Sequence, residues 1–136
     1  VTSYGSSIDA GLQQFDFSGY VSGYSRNASS NSDTDTAQII VEYRGAGGSS
    51  LLGSYDSGAA TYNYHNDGWL ELKDSRFAPV GTREITVRLL AVRNDGTNND
   101  GYFDSLSLTT TAVPEPSSTA LLGLGLCSLL LRRKRS

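Results

Sequence analysis

The chain sets apolar and polar residues in short alternating runs, broken by glycine, asparagine and serine. From Phe15 to Tyr24 one parity holds Phe15, Phe17, Gly19, Val21 and Gly23, and the other holds polar residues with Tyr20 and Tyr24. Successive side chains of a strand point to opposite faces, so this period of two predicts a half-buried strand. Ala37 to Tyr43 predicts a second strand, Leu51 to Tyr55 a third and Trp69 to Leu72 a fourth. Glu84 to Arg93 gives the clearest pattern, with Ile85, Val87, Leu89 and Ala91 on one face and Arg83 at its start. Tyr102 to Thr110 predicts the last strand, Phe103, Ser105, Ser107 and Thr109 lying opposite Leu106 and Leu108. Between them stand turn formers: the Ser/Asn/Asp loop from Arg26 to Thr36, Gly45 to Ser50, Pro79-Val80-Gly81-Thr82, and Asn94 to Gly101. No helical period occurs before the C-terminal tail. Short strands spaced by turns predict an all-β fold, an antiparallel β-sandwich.

The tail breaks the alternation. Thr119 to Leu131 carries no charge and is dominated by leucine, and Arg132-Arg133-Lys134-Arg135 follows at once. As a helix this apolar run reaches about 20 Å. A comfortable span needs about twenty apolar residues, so this is a short transmembrane helix. Snorkelling arginines extend its reach. The four cations form a basic stop that stays cytoplasmic and can pair with anionic lipid, leaving the body on the other side of the membrane. The expected layout is a sandwich domain over residues 1–109, a linker over 110–118, and a transmembrane sorting helix with basic tail over 119–136.

Charge sharpens this division. Four of the eleven lysines and arginines belong to the tail, so the body is acidic. An acidic body argues against nucleic-acid binding, which needs a basic face. The only cysteine, Cys127, also lies in the tail, which leaves the body without a disulfide or a cysteine metal site. The chain starts at Val1 and contains no methionine. The expectation is therefore a longer translated chain with a signal peptide upstream.

Val113-Pro114-Glu115-Pro116, the apolar run and the basic stop occur in the order and spacing of a known signal. Together they resemble the PEP-CTERM sorting signal of Gram-negative bacteria. The resemblance implies an exosortase as partner, cleavage near the motif, and export. It further implies that the body is periplasmic while the tail anchors it to the inner membrane, and that the product then reaches the cell surface or the exterior. The resemblance also implies cells that make exopolysaccharide.

A second resemblance covers the body. Val80 to Leu89, Arg93, and Asn98-Asn99-Asp100-Gly101-Tyr102-Phe103-Asp104 running on to Leu108 are similar to the closing strands of galactose-binding-like jelly rolls. That fold hosts many carbohydrate-binding modules. Many members open with an Asn…Phe-Glu strand and a Gly-Trp. Neither precedes Phe15, so that piece lies upstream or the chain is a diverged version.

The resemblance implies two sites. An Asp of the last strand in such jelly rolls helps hold a structural Ca²⁺, and Asp104 matches it. Asp100 and Asp35 supply further hard oxygens of the kind the ion needs. The alternative is that Asn-Asp-Gly is plain turn chemistry. Sugar-binding modules stack pyranose rings on flat aromatics, and Tyr62, Tyr64, His65 and Trp69 form such a cluster. The alternative places Trp69 in the core. Catalysis finds little support: His65 is the only histidine, and Glu42, Glu71 and Glu84 read as strand surface. Arg83 and Arg93 are expected to pair with Asp100 or Asp104, and Arg88 to lie on a solvated face. The expected function is a non-enzymatic exported surface or matrix protein that associates with exopolysaccharide. The rival readings are a carbohydrate-binding module with a defined sugar site, and a fragment of a secreted hydrolase.

Overall fold

The computed structural model describes residues 1–25, 34–64 and 67–112. Six strands form there: β1 (Gln13–Ser22), β2 (Thr36–Arg44), β3 (Leu51–Asp56), β4 (Leu70–Phe77), β5 (Glu84–Val92) and β6 (Tyr102–Ala112). They build two antiparallel sheets of three strands, in the orders β4-β1-β6 and β3-β2-β5. The expected two-layer all-β body is present. A jelly roll has eight strands, and six are found among the described residues.

Three local features differ from expectation. The strand starting near Trp69 runs on to Phe77 through Lys73, Asp74, Ser75 and Arg76. Its polar look comes from an inward-facing ion pair: Arg76 Nε donates to Asp74 Oδ2 at 2.5 Å. The last strand continues to Ala112, into the expected linker, because Thr111 and Ala112 still pair with Gln14 and Gln13. Finally, a five-residue helix, α1 (Gly5–Asp9), precedes β1 and is too short to show a period. Gly11 ends it at φ 71°, a left-handed conformation glycine adopts without strain. Its Ile8 is wholly buried and plugs one end of the core.

The core lies between the sheets. Phe15, Phe17 and Val21 on β1 oppose Ile39, Val41 and Tyr43 on β2, all buried. Phe15 meets Tyr43 edge-on at 6.3 Å. Each such side chain contributes about 1.5–3 kcal/mol by leaving water. Where β1 faces β6, the register shifts between Ser18 and Tyr20. Ser105 there takes a positive φ of 49°, and the strand bulges. A Cβ at Gly19 would stand 2.7 Å from Leu106 Cδ2, so glycine makes room for the leucine that the bulge turns inward.

No helix among the described residues is long and apolar enough to cross a membrane. The expected transmembrane helix, the Pro-Glu-Pro motif and the basic stop all lie outside the described residues.

Candidate functional site

Because Phe15, Phe17 and Val21 face the core, the alternate residues of β1 face outward. Across this outer face the register sets Glu71, Tyr20 and Asp104 in one row. Lys73, Ser18 and Ser107 make the next row, and Ser75, Asp16 and Thr109 the one after. The rows form a polar network. Tyr20 donates to Glu71 Oε1 at 3.0 Å, and Lys73 pairs with Glu71 at 2.9 Å. Hydrogen bonds from Lys73 and Tyr20 hold the Glu71 carboxyl below the usual range, while Glu71 pushes the Tyr20 phenol up. Ser75, Gln14 and Thr111 all donate to the Asp16 carboxylate, which lowers it too. The small side chains of Ser18 and Ser107 leave a depression of about 480 Å³ between the longer ones.

Aromatic rings close one end of this face. The backbone of 62–64 is stitched to the residue after β1: the Gly23 amide donates to the Tyr62 carbonyl, and the Tyr64 amide to the Gly23 carbonyl. Only glycine fits at 23, since a Cβ would lie 1.9 Å from the Asp35 carbonyl oxygen. Asn63 is buried beneath, and its amide donates to Asp67 Oδ2 at 3.2 Å. Ser22 Oγ donates to the Gly68 carbonyl at 2.6 Å, which fixes the turn into Trp69. Trp69 then stands between Tyr64 at 6.2 Å, edge-on, and Tyr102 at 6.5 Å, tilted. With Tyr24 and Asp104 these rings line a second, open depression of about 540 Å³.

Trp69 is therefore not a core residue. It is 38% exposed and Tyr64 is 50% exposed. Trp69 shares the outward parity of Glu71 and Lys73, so the strand pattern itself carried this signal. Tyr62 is exposed near the cluster, while His65 lies outside the described residues. That Tyr102 and Asp104 meet Trp69 escapes a sequence reading, because only the register of β6 beside β1 brings them there, and Tyr24, just past the end of β1, lines the same depression. Burial and the nearby Asp100 carboxylate push the Tyr102 phenol up.

Of the three expected calcium carboxylates, Asp35 and Asp100 line one small cavity together with Asp95, and Asp104 lines a different depression. Asp35 is buried, and its oxygens are taken by backbone amides. Oδ1 accepts from Asn94 at 2.6 Å and Asp95 at 3.3 Å, and Oδ2 from Asp100 at 2.8 Å. Burial opposes ionisation of Asp35, but these amides and the charge of Arg93 outweigh it and hold the carboxyl below its ordinary value. Asp35 thus closes the 94–100 loop over a cavity of about 30 Å³, room for about one water. Asp104 sits apart on the outer sheet face, where its Oδ1 accepts from the Ser105 amide at 2.6 Å. Among the described residues no three His, Cys, Asp or Glu side chains gather as a metal site would require.

The charged residues also find other partners than expected. Arg83 pairs with Asp9 of α1 at 2.5 Å, since the N-terminal segment packs beside the start of β5. Arg93 donates to the Thr97 carbonyl at 3.2 Å. Glu42 is buried rather than solvated, because Arg44 at 2.8 Å and Arg88 at 3.1 Å cover it.

Fold and surface together define a small two-sheet β protein with an aromatic and polar outer face. A family model described as the PEP-CTERM protein-sorting motif matches residues 112–135. No curated protein matches the chain. The motif marks an exported protein whose C-terminal sorting signal is recognised by exosortase and anchored in the membrane before processing.

Proposed function

We propose that the sorted body is a non-enzymatic surface or matrix protein that binds exopolysaccharide along the outer face of the β4-β1-β6 sheet. One observation carries this reading: Trp69, the only tryptophan, is exposed with Tyr64 and Tyr102 around it, at the end of a hydrogen-bonding sheet face. Sugar rings present apolar C–H faces that lie flat on aromatic rings, and their hydroxyls bond to carboxylates, hydroxyls and ammonium groups. Trp69 and Tyr102 supply the stacking surface. Asp104, Glu71, Tyr20 and Lys73 supply the polar partners. Both depressions are open to solvent along the sheet, which suits an extended polymer better than a single buried sugar.

The test is electrophoresis of the full chain in a native gel that contains host exopolysaccharide. The polymer should retard the wild-type protein. The double variant Trp69→Ala/Tyr102→Ala should run nearly as it does in a blank gel. Equal retardation of both proteins would remove the aromatic face from the reading, and no retardation of either would remove polysaccharide.

A further inference from the structure

The two ends of the sandwich differ in chemistry. Gln13, at the start of β1, pairs with Ala112, and Gln14 pairs with Phe77, so β4 and β6 both finish at one end. The Ala78 amide donates to the Gln13 carbonyl, and the Arg83 amide to the Arg44 carbonyl. The turn between β4 and β5 therefore bridges the two sheets here. The finish of β2 and the start of β3, where Arg44 meets Leu51, lie at the same end.

This end is apolar and short of charge. Phe77 to Thr82 and Gly45 to Leu52 contain no charged residue. Val80 is 65% exposed, Leu51 55% and Phe77 51%. A Cβ on Gly81 would lie 3.8 Å from Leu52 Cδ1, so Leu52 packs beside the bridging turn. Asp9 holds Arg83 and Glu42 holds Arg44 at the border of this end, and Glu84 accepts from Thr86 at 3.3 Å. The loops of the opposite end carry Asp35, Asp67, Asp95 and Asp100 against Arg93 among the described residues. Segments 26–33 and 65–66, outside the described residues, leave and rejoin the sandwich at that acidic end.

The tail leaves from the apolar end. Phe77 and Thr111 flank Gln14 from either side, two strand spacings or about 10 Å apart. Six residues, Val113 to Ser118, separate Ala112 from the uncharged run that starts at Thr119, and fully extended they span at most about 22 Å. That run belongs to the sorting signal, which is anchored in the membrane before processing. The anchored tail holds the apolar end within that reach of the bilayer.

We propose that this end docks on the lipid surface of the membrane that holds the tail, with Leu51, Phe77 and Val80 entering the near leaflet. The exit point of the tail selects lipid as the occupant, since it brings this end and no other to the bilayer. Charge agrees: an uncharged tip enters the leaflet without giving up the hydration that a carboxylate would lose. Tethering makes the contact intramolecular, so a few side chains suffice while the tail is intact. Processing removes the tether, and so small an apolar contact then releases the body. The docked pose points Trp69, at the start of β4, away from the membrane.

The experiment uses the full chain in vesicles of phosphatidylethanolamine with a minor share of phosphatidylglycerol. A phosphatidylcholine carrying a diazirine near the top of its acyl chain is the probe. Light expels nitrogen from the diazirine, and the carbene left behind inserts into bonds to hydrogen within its reach. Mass spectrometry of the vesicle-bound chain should find lipid adducts on the tail and on peptides holding Leu51–Leu52 and Phe77–Val80. The peptide over 94–101, at the acidic end, should carry at least tenfold fewer. Leu51→Asp/Phe77→Asp/Val80→Asp changes exposed residues, so circular dichroism should keep the β signature. It should cut the adducts on the two body peptides at least tenfold and leave those on the tail unchanged. In the native chain, adducts on the tail alone would overturn the docking and leave this end to a protein partner. Equal labelling of the two ends of the body would overturn it as well.

Discussion

Asp35→Asn removes one charge and changes no volume, so it isolates what the buried carboxylate does. In the native chain Oδ1 and Oδ2 together accept three backbone amides from the 94–100 loop. Asparagine keeps one acceptor oxygen and presents an NH₂ group to another donor, the Asp100 or the Asn94 amide. One charged hydrogen bond is lost, worth about 1.5–3 kcal/mol, and a partly buried amide is left without its acceptor at about 1–3 kcal/mol. These terms overlap, so the expected loss is about 2–4 kcal/mol, a large share of a small domain's stability. The six strands and the core all lie within residues 1–112, and thermal unfolding of that body is the assay. The melting temperature should fall by roughly 10 °C. The acid limb gives a second check. The folded Asp35 carboxyl titrates below its ordinary value of 3.8, so the unfolded chain takes up the proton first as pH falls. Its stabilisation is complete well above the unfolded value and is lost as pH drops through that value towards the lowered folded one. The asparagine variant should lack this part of the acid loss, and the two stability curves should converge at low pH. A melting shift under about 2 °C at neutral pH, with parallel acid limbs, would refute the role given to Asp35.

Four further outcomes are expected. Gly23→Ala places a Cβ within 1.9 Å of the Asp35 carbonyl oxygen, and urea unfolding should show a loss of about 3 kcal/mol or more, beyond the usual overpacking range. Arg76→Leu leaves Asp74 facing the sheet gap without its partner and should cost about 1–3 kcal/mol, less than a fully buried pair because solvent reaches it. Calcium followed by chelator tests the expected ion, since a ligand bound only by the folded state must raise the melting temperature; with both Asp35 oxygens engaged by loop amides the expected shift is under about 2 °C, and a rise of several degrees would show a bound ion. Replacing Pro114-Glu115-Pro116 by alanines should leave the body folded but held at the inner membrane, as cell fractionation will report, and normal surface delivery would count against sorting through this motif.

The sequence carried the strands where period and burial agree. Glu84 to Val92 and Thr36 to Arg44 were visible because one parity is nearly all apolar. It carried β4 poorly, because Asp74 and Arg76 occupy core-side positions and satisfy each other there, so polarity no longer marks the outside. Trp69 was legible by parity but its hydrophobicity argued for the core. The meeting of Trp69 with Tyr102 was not legible at all: it depends on the register of two strands on either side of β1, and register follows from pairing across 30 or more residues. The fate of Asp35 was hidden for the same reason. An aspartate before a strand looks alike whether it faces a cation or three amides from a loop some sixty residues away.

The sorting motif and the aromatic face meet in one observable, the place where the finished protein resides. Host cells expressing wild type and Trp69→Ala/Tyr102→Ala can be separated into membrane, exopolysaccharide and medium fractions, and the protein in each measured by immunoblot. Losing two stacking rings should weaken polysaccharide binding by roughly 2–4 kcal/mol, thirtyfold or more. The expected result is wild type in the exopolysaccharide fraction and the double variant exported equally well but released into the medium. Equal retention of the two proteins in the exopolysaccharide would contradict the role of this face.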